Sequence, residues 1–170
     1  MNNAIEVVEK EIGSVVEIEE KACLWRMMKI FPKDYTAIME YFEDNSVEPI
    51  QTPYARYVDF DWEKEMKKWA ICKLFDLVFR KWHFFVGIPT PKKLEDKDNL
   101  KADFIAKQKY LKAMHYGAYH KVDKRYKEIY AHAQQNQIKL GNESIEFYLN
   151  DPNEVAQDKL ETMILIPVVE

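Results

Sequence analysis

An alternating run, Ser144-Ile145-Glu146-Phe147-Tyr148-Leu149, sets the first limit on how this chain folds. Side chains alternate across a strand with period two, so Ile145, Phe147 and Leu149 share one apolar side while Ser144, Glu146 and Tyr148 share the other. Gly141-Asn142 precedes the run, and Asp151-Pro152 closes it, because proline cannot donate to a ladder and the pair favours a turn. The second side offers a carboxylate beside a phenol. If it looks into a cavity, Glu146 is the charge a ligand meets; if it looks into water, it is an ordinary polar face.

The rest of the chain falls into segments around this strand. Ile5 to Ile12 and Val15 to Ile30 mix Val, Ile and charged residues in near alternation and read as strands, the second running through Trp25-Arg26-Met27-Met28. Phe31-Pro32-Lys33-Asp34 then opens a helix whose stripe is Tyr35, Ile38, Met39 and Phe42. Tyr54 to Asp61 is an aromatic strand. From Trp62 to Trp82 the period becomes helical, with Ile71, Leu74, Phe75, Val78 and Phe79 as the stripe. That segment reads as an inserted amphipathic helix, packed on the core or else capping a pocket or forming a dimer surface. Phe84 to Pro89 is a strand, and Lys92 to Asn99 is a charged connector. Phe104 to Tyr116 reads as one strand, Gly117 as a tight turn, Val122 to about Gln137 as a helix, and Leu160 to Val169 as the last strand.

Both halves run strand, helix, strand, strand, and Arg56-Tyr57-Val58-Asp59 lies over Phe147-Tyr148-Leu149-Asn150, which puts Ala55 in the slot of Glu146. The expected fold is α+β: duplicated β-α-β-β units forming one antiparallel sheet, both helices on one face. The other face is left concave, with a cleft where the halves meet. The 170 residues fit one domain, a first half of about 1–91 with its insertion at 62–82 and a second of about 100–170.

Composition narrows the function. A formal charge of −4 argues against a nucleic-acid binder. No apolar run is long enough to span a bilayer, so no membrane partner is expected, and the opening residues do not form a signal peptide. Cys23 and Cys72 read as buried reduced thiols, which suits a cytoplasmic location. His83, His115, His120 and His132 have no ligand spacing, and neither a metal nor a cofactor is expected. An aromatic content of 14% is compatible with an aromatic-lined pocket.

His115-Tyr116-Gly117-Ala118-Tyr119, followed by a helix, then Glu146 to Pro152 and Leu160 to Val168, resembles the GyrI-like effector-binding family. The resemblance runs from about Lys107 to Val169. It is carried more weakly in the first half by Pro53-Tyr54-Ala55-Arg56-Tyr57 and Phe85-Val86-Gly87-Ile88-Pro89. It implies a duplicated β-α-β-β fold with a ligand cleft, found in the sensing domains of bacterial multidrug-responsive regulators, in a gyrase inhibitor and in stand-alone members. Having no room for a helix-turn-helix, the chain looks like a stand-alone member. The resemblance further implies that Glu146 and Tyr148 match the family's acidic and phenolic cleft positions, and that Glu161 matches a second acidic one.

A carboxylate on an apolar wall is poorly hydrated, so an organic cation is a natural partner, and aromatic faces add cation–π attraction of about 0.5–2 kcal/mol each. Candidate walls are Tyr57, Tyr110, Tyr116 and Tyr148, with Trp25 or Trp82 as larger plates; for each tyrosine the alternative is core packing with its hydroxyl at the surface. Glu161 reads as a solvated strand-end charge, and His115 as a hydrogen-bonded turn residue. The expected activity is therefore binding of a small lipophilic or cationic molecule. The same atoms allow a hydrolase of strained electrophiles, with Glu146 as general base and Tyr148 or a cross-strand Tyr110 assisting. A protein-interaction role of the gyrase-inhibitor type is the third reading.

Overall fold

The structure, a computed structural model, describes residues 4–67 and 79–169. In chain order the elements are β1 (Ile5–Lys10), β2 (Gly13–Ala22), α1 (Leu24–Asp44), β3 (Tyr54–Tyr57), α2 (Trp62–Lys67), β4 (Trp82–Pro89), β5 (Leu100–Ile105), β6 (Gln108–Tyr116), α3 (Val122–Gln135), β7 (Lys139–Leu140), β8 (Ser144–Tyr148) and β9 (Glu161–Val169). The strands form one antiparallel sheet in the order β1-β6-β9-β8-β3-β4-β2-β5, with β7 added on β9. Each half contributes strand-helix-strand-strand, β2-α1-β3-β4 and β6-α3-β8-β9. Outward from the β3–β8 seam, the two sides repeat one another element for element. This is the α+β architecture expected from the sequence.

Register decides what faces what. Ala113, Ile164, Glu146, Ala55, Val86 and Ile18 are successive cross-strand partners, so they form a single row on one face. α3 covers one end of that face, its Tyr126, Ile129 and Ala133 packing on Leu111, Ala113, Ile164 and Ile166. α1 covers the other end, with Ile38, Tyr41 and Phe42 on Val16, Ile18 and Ile88. Each fully buried side chain of this kind contributes roughly 1.5–3 kcal/mol. Between the two helices the row is occupied by Glu146 and the small Ala55.

The opposite face is not hollow. It carries a core of its own, in which Tyr54, Tyr110, Ile145, Phe147 and Leu165 pack against Ile12, Val15 and Ile105. The cleft expected on that face therefore lies on the wrong side of the sheet, and Glu146 looks toward the helices. Both sides of β8 are covered, since Ser144, Ile145, Glu146 and Phe147 are all buried.

Several boundaries also differ from expectation. The strand expected to reach Ile30 ends at Ala22, and Leu24–Asp44 is one helix with Pro32 inside it rather than at its start. Leu24, Met27, Phe31 and Ile38 keep a helical spacing across the proline. The Met28 carbonyl that Pro32 leaves unbonded lies on an exposed turn, within reach of water. The expected single strand from Phe104 to Tyr116 is broken at Ala106-Lys107, without glycine or proline, into β5, which pairs with β2, and β6, which pairs with β1 and β9. Of the expected helix at 62–82, the described residues show Trp62–Lys67 as α2, and Trp82 opens β4. Ile71, Leu74, Phe75, Val78 and Cys72 lie outside the described residues. Cys23 is a free thiol but half-buried, at the position preceding α1.

Candidate functional site

The site grows from two facts of local structure. Period two on β8 sends Ser144, Glu146 and Tyr148 to the helix side, and the apolar stripe of α3 brings Tyr126 down onto them. A tyrosine on a core-facing stripe must find a partner for its hydroxyl. Tyr126 donates to Glu146 Oε1 at 2.6 Å, and its oxygen lies 2.7 Å from Ser144 Oγ. Tyr148 donates to Glu146 Oε2 at 3.2 Å and lies 3.5 Å from the Tyr57 hydroxyl across the seam. Both carboxylate oxygens are thus held by phenols, and Glu146 is 7% exposed.

Above this buried acid the walls are aromatic. Phe31 of α1 sits 6.1 Å from the Tyr148 ring, and Tyr119 meets that ring edge-on at 5.4 Å. Tyr57 is flanked by Trp82 at 6.3 Å and by Phe84 at 6.1 Å. Phe31, Tyr35, Tyr57, Tyr119 and Tyr148 are each half-buried, so they form a rim that is neither core nor open surface. On the α3 side, Phe60 stacks on Tyr126 at 6.2 Å and Trp62 lies tilted against it at 5.8 Å. This segment is tied down by Phe60 N–H donating to Asn142 O at 2.7 Å and by Trp62 Nε1–H donating to Gly141 O at 2.5 Å.

Burial raises the pKa of Glu146 above the ordinary carboxylate value, against the opposing pull of the Tyr126 and Tyr148 hydroxyls. Burial, and then the negative charge of Glu146, push Tyr126 well above the usual phenol range. Tyr148 is pushed up by burial and by Tyr57 and Glu146, and Tyr57 by burial and Glu146. These phenols stay protonated at neutral pH, so they serve as hydrogen-bond donors and not as bases. Trp82 Nε1 and Thr162 Oγ1 are buried without a hydrogen-bond partner; Thr162 is the cross-strand neighbour of both Tyr148 and His115.

Of the residues singled out in the sequence, Glu146, Tyr148, Tyr57 and Trp82 come together. Tyr110 does not: it is fully buried in the opposite core, where its hydroxyl accepts from Gln108 Nε2 at 2.8 Å. It cannot assist Glu146. Tyr116 and Glu161 are cross-strand partners that alternation also places on the face away from Glu146. Glu161 acts through its backbone: its N–H donates to Asn150 Oδ1 and its carbonyl accepts from Leu149 N–H, each at 3.0 Å. Trp25 is 57% exposed on the outer side of α1. His115 is held in the turn, its Nε2 lying 3.2 Å from Ala118 O, and Gly117 takes a φ of 109° that only glycine adopts freely. Tyr126, Tyr35, Tyr119, Phe31 and Phe60 join the site although the sequence marks them only as parts of a helix, turn or strand. The signal in the sequence was the phenol on the α3 stripe, which had to bond something.

With this geometry in place, comparison with known proteins is informative. Residues 81–169, just over half of the chain, match the GyrI-like small molecule binding domain, and the chain belongs to that family. Among curated proteins none matches it. Solved structures share its fold at low identity. The EcmrR C-terminal domain is 14% identical, with a TM-score of 0.67 over 98% of both chains. In the EcmrR–DNA complex the TM-score is 0.71, and the match spans 98% of this chain but 58% of EcmrR. A hydrolase from Listeria innocua is 11% identical, with a TM-score of 0.67 over 98% of this chain and 92% of its own. SAV2435 bound to tetraphenylphosphonium is 14% identical, with a TM-score of 0.59 over 96% of this chain and 94% of its own.

Proposed function

We propose that the chain is a receptor for lipophilic cations, with Glu146 as the charge that selects them and the aromatic rim as the surface that holds them. What carries this reading is a buried carboxylate, bonded among the described residues to phenols alone, beneath half-buried aromatic rings. In that environment the acid lacks a counter-charge, and a bulky cation supplies one without bringing much water with it. Ring faces of Tyr57, Tyr119 and Tyr148 add cation–π attraction, about 0.5–2 kcal/mol per ring. SAV2435, which shares the fold, was solved with tetraphenylphosphonium, a cation of this class, and that makes it a sensible first probe. Tyr148, half-exposed and on the longer of the two bonds to Glu146, is the phenol that moves aside to admit the ligand.

The test is a titration of tetraphenylphosphonium and of neutral triphenylphosphine oxide against wild type and Glu146→Gln. Wild type should prefer the cation by about tenfold or more, the worth of one desolvated charge contact of ~1.4 kcal/mol, and the variant should lose that preference. Equal affinities of wild type and variant for the cation remove the carboxylate from recognition.

A hydrolytic reading rests on the same acid, because its raised pKa suits a general base and Tyr148 is placed to donate a proton. Turnover of strained electrophiles, lost in both Glu146→Gln and Tyr148→Phe, would support it. No turnover above background leaves binding alone.

A further inference from the structure

The first half of α1 carries a second surface that has no part in the site just described. From Lys21 to Lys33 the sequence contains no acid, and the first turn of the helix has neither an acidic side chain nor a side-chain cap. Cations at a helix N-terminus oppose the macrodipole, so this arrangement costs the isolated protein stability. Among the described residues Arg26, Lys29 and Lys33 have no ion-pair partner, although many other bases of the chain are paired with acids. Large apolar side chains stand beside them in water: Leu24 is 41% exposed, Trp25 57% and Met28 78%.

The helical repeat sorts these residues. Leu24 and Met28 are four apart on one row, and Trp25, Lys29 and Lys33 follow at the same spacing on the next, with Arg26 beyond them. An apolar strip therefore runs along the helix with a cationic strip beside it. Trp25, Arg26, Lys29 and Lys33 line a shallow hollow of about 420 Å³ on the outer side of α1. An apolar surface alone would leave the partner undefined, but this one is paired with positive charge in a chain whose net charge is −4. A phosphate backbone or an acidic peptide would neutralise the bases and leave Leu24 and Met28 in water. An anionic bilayer satisfies both strips: headgroups meet the bases, and the acyl boundary takes the indole, thioether and leucine side chains.

We infer that the N-terminal half of α1 is a peripheral docking face for anionic lipid bilayers. The contact is superficial, since among the described residues no helix is long and apolar enough to cross a membrane. Lying flat, α1 would set its buried stripe and the sheet behind it away from the lipid.

The experiment is co-sedimentation of the full chain with vesicles of phosphatidylcholine alone and of phosphatidylcholine with about 30 mol % phosphatidylglycerol. The expected result is binding to the anionic vesicles only, released when salt is raised to roughly 0.5 M. Arg26→Glu/Lys29→Glu/Lys33→Glu should lower partition by about tenfold or more, and Trp25→Ser/Met28→Ser by a comparable factor at low salt. A control with the same charge change elsewhere, Lys64→Glu/Lys67→Glu/Lys97→Glu, and the variant Glu146→Gln should both bind like wild type. All substituted positions of the docking face are exposed, and circular dichroism checks that the variants stay folded. Equal binding to neutral and anionic vesicles, or equal loss in the control, overturns the proposal. So does capture of a single-stranded oligonucleotide through the same bases with no vesicle binding.

Discussion

At Glu146 the proposed function and stability pull in opposite directions. Its folded pKa lies above its ordinary value, so between the two the folded protein holds a proton that the unfolded chain has released. The contribution of this one group to stability is most favourable below the ordinary glutamate range, falls as pH rises through the folded pKa, and carries the full cost of a buried charge above it. Glu146→Gln keeps an acceptor for Tyr126 and gives Tyr148 a donor, and it removes that cost. Thermal melts should show the variant more stable than wild type at pH 8, by about 2–4 °C for each kcal/mol relieved, with the gap closing near pH 4. A carboxylate that weakens its own fold at neutral pH is what a ligand-binding charge looks like in energetic terms. Asp34, buried on α1 with Oδ2 unpartnered, offers a contrast without a ligand. Burial and then Glu20 raise it to about 6. Its penalty grows from the ordinary aspartate range up to that pH, so Asp34→Asn should flatten the stability profile there and leave cation binding unchanged. If both variants shifted binding, Glu146 would not be special.

Strand β3 makes the seam, and its two sides show how much of this fold the sequence discloses. Toward the helices it shows Ala55 and Tyr57; toward the other core it shows Tyr54 and Arg56. Glu17, 1% exposed, accepts from Tyr54 Oη at 2.7 Å and from Arg56 Nε and Nη2 at 3.0 and 2.5 Å. Arg56→Ala strands Glu17 and should cost about 3–5 kcal/mol in urea unfolding, while Glu17→Leu/Arg56→Met should recover most of it. No change on recovery would mean the ion pair itself is the stabiliser. None of this pairing was legible, because Glu17 and Arg56 are 39 residues apart and read as polar strand positions. β8 was legible, since period two and Asp151-Pro152 are local signals; that the aligned Ala55 and Glu146 are also cross-strand partners was not legible. α1 was misread because Pro32 looks like a first helical residue, although the spacing from Leu24 onward is helical through it. The break between β5 and β6 was not legible, because Ala106-Lys107 carries neither glycine nor proline. Tyr110 and Tyr126 are both phenols on apolar elements, and only the third dimension separates the core tyrosine from the one that holds Glu146.

At the scale of the whole molecule, the sheet pivots about the pairing of Ala55 with Glu146, and the proposed ligand sits over that pivot. Its contacts come from both halves: Phe31, Tyr57 and Trp82 from one, Tyr119, Tyr126, Glu146 and Tyr148 from the other. Across the seam, β3 and β8 are joined over only four residue pairs, whereas β6 and β9 pair over seven. The seam is one of three four-pair ladders at the centre of the sheet, β3–β4 and β8–β9 being the others, and a ligand bridging it would stabilise the halves against each other. At a concentration of about a hundred times Kd, a ligand that binds only the folded protein adds ~2.7 kcal/mol. Hydrogen exchange locates that gain. With tetraphenylphosphonium bound, amides of β4 and β9 should both exchange more slowly, although these strands belong to different halves and β4 touches β8 only through β3. The slowing should vanish in Glu146→Gln at the same ligand concentration. Protection confined to α3, β8 and β9 would place the ligand in the second half alone, because a molecule seated across the seam cannot tighten one side of it without the other.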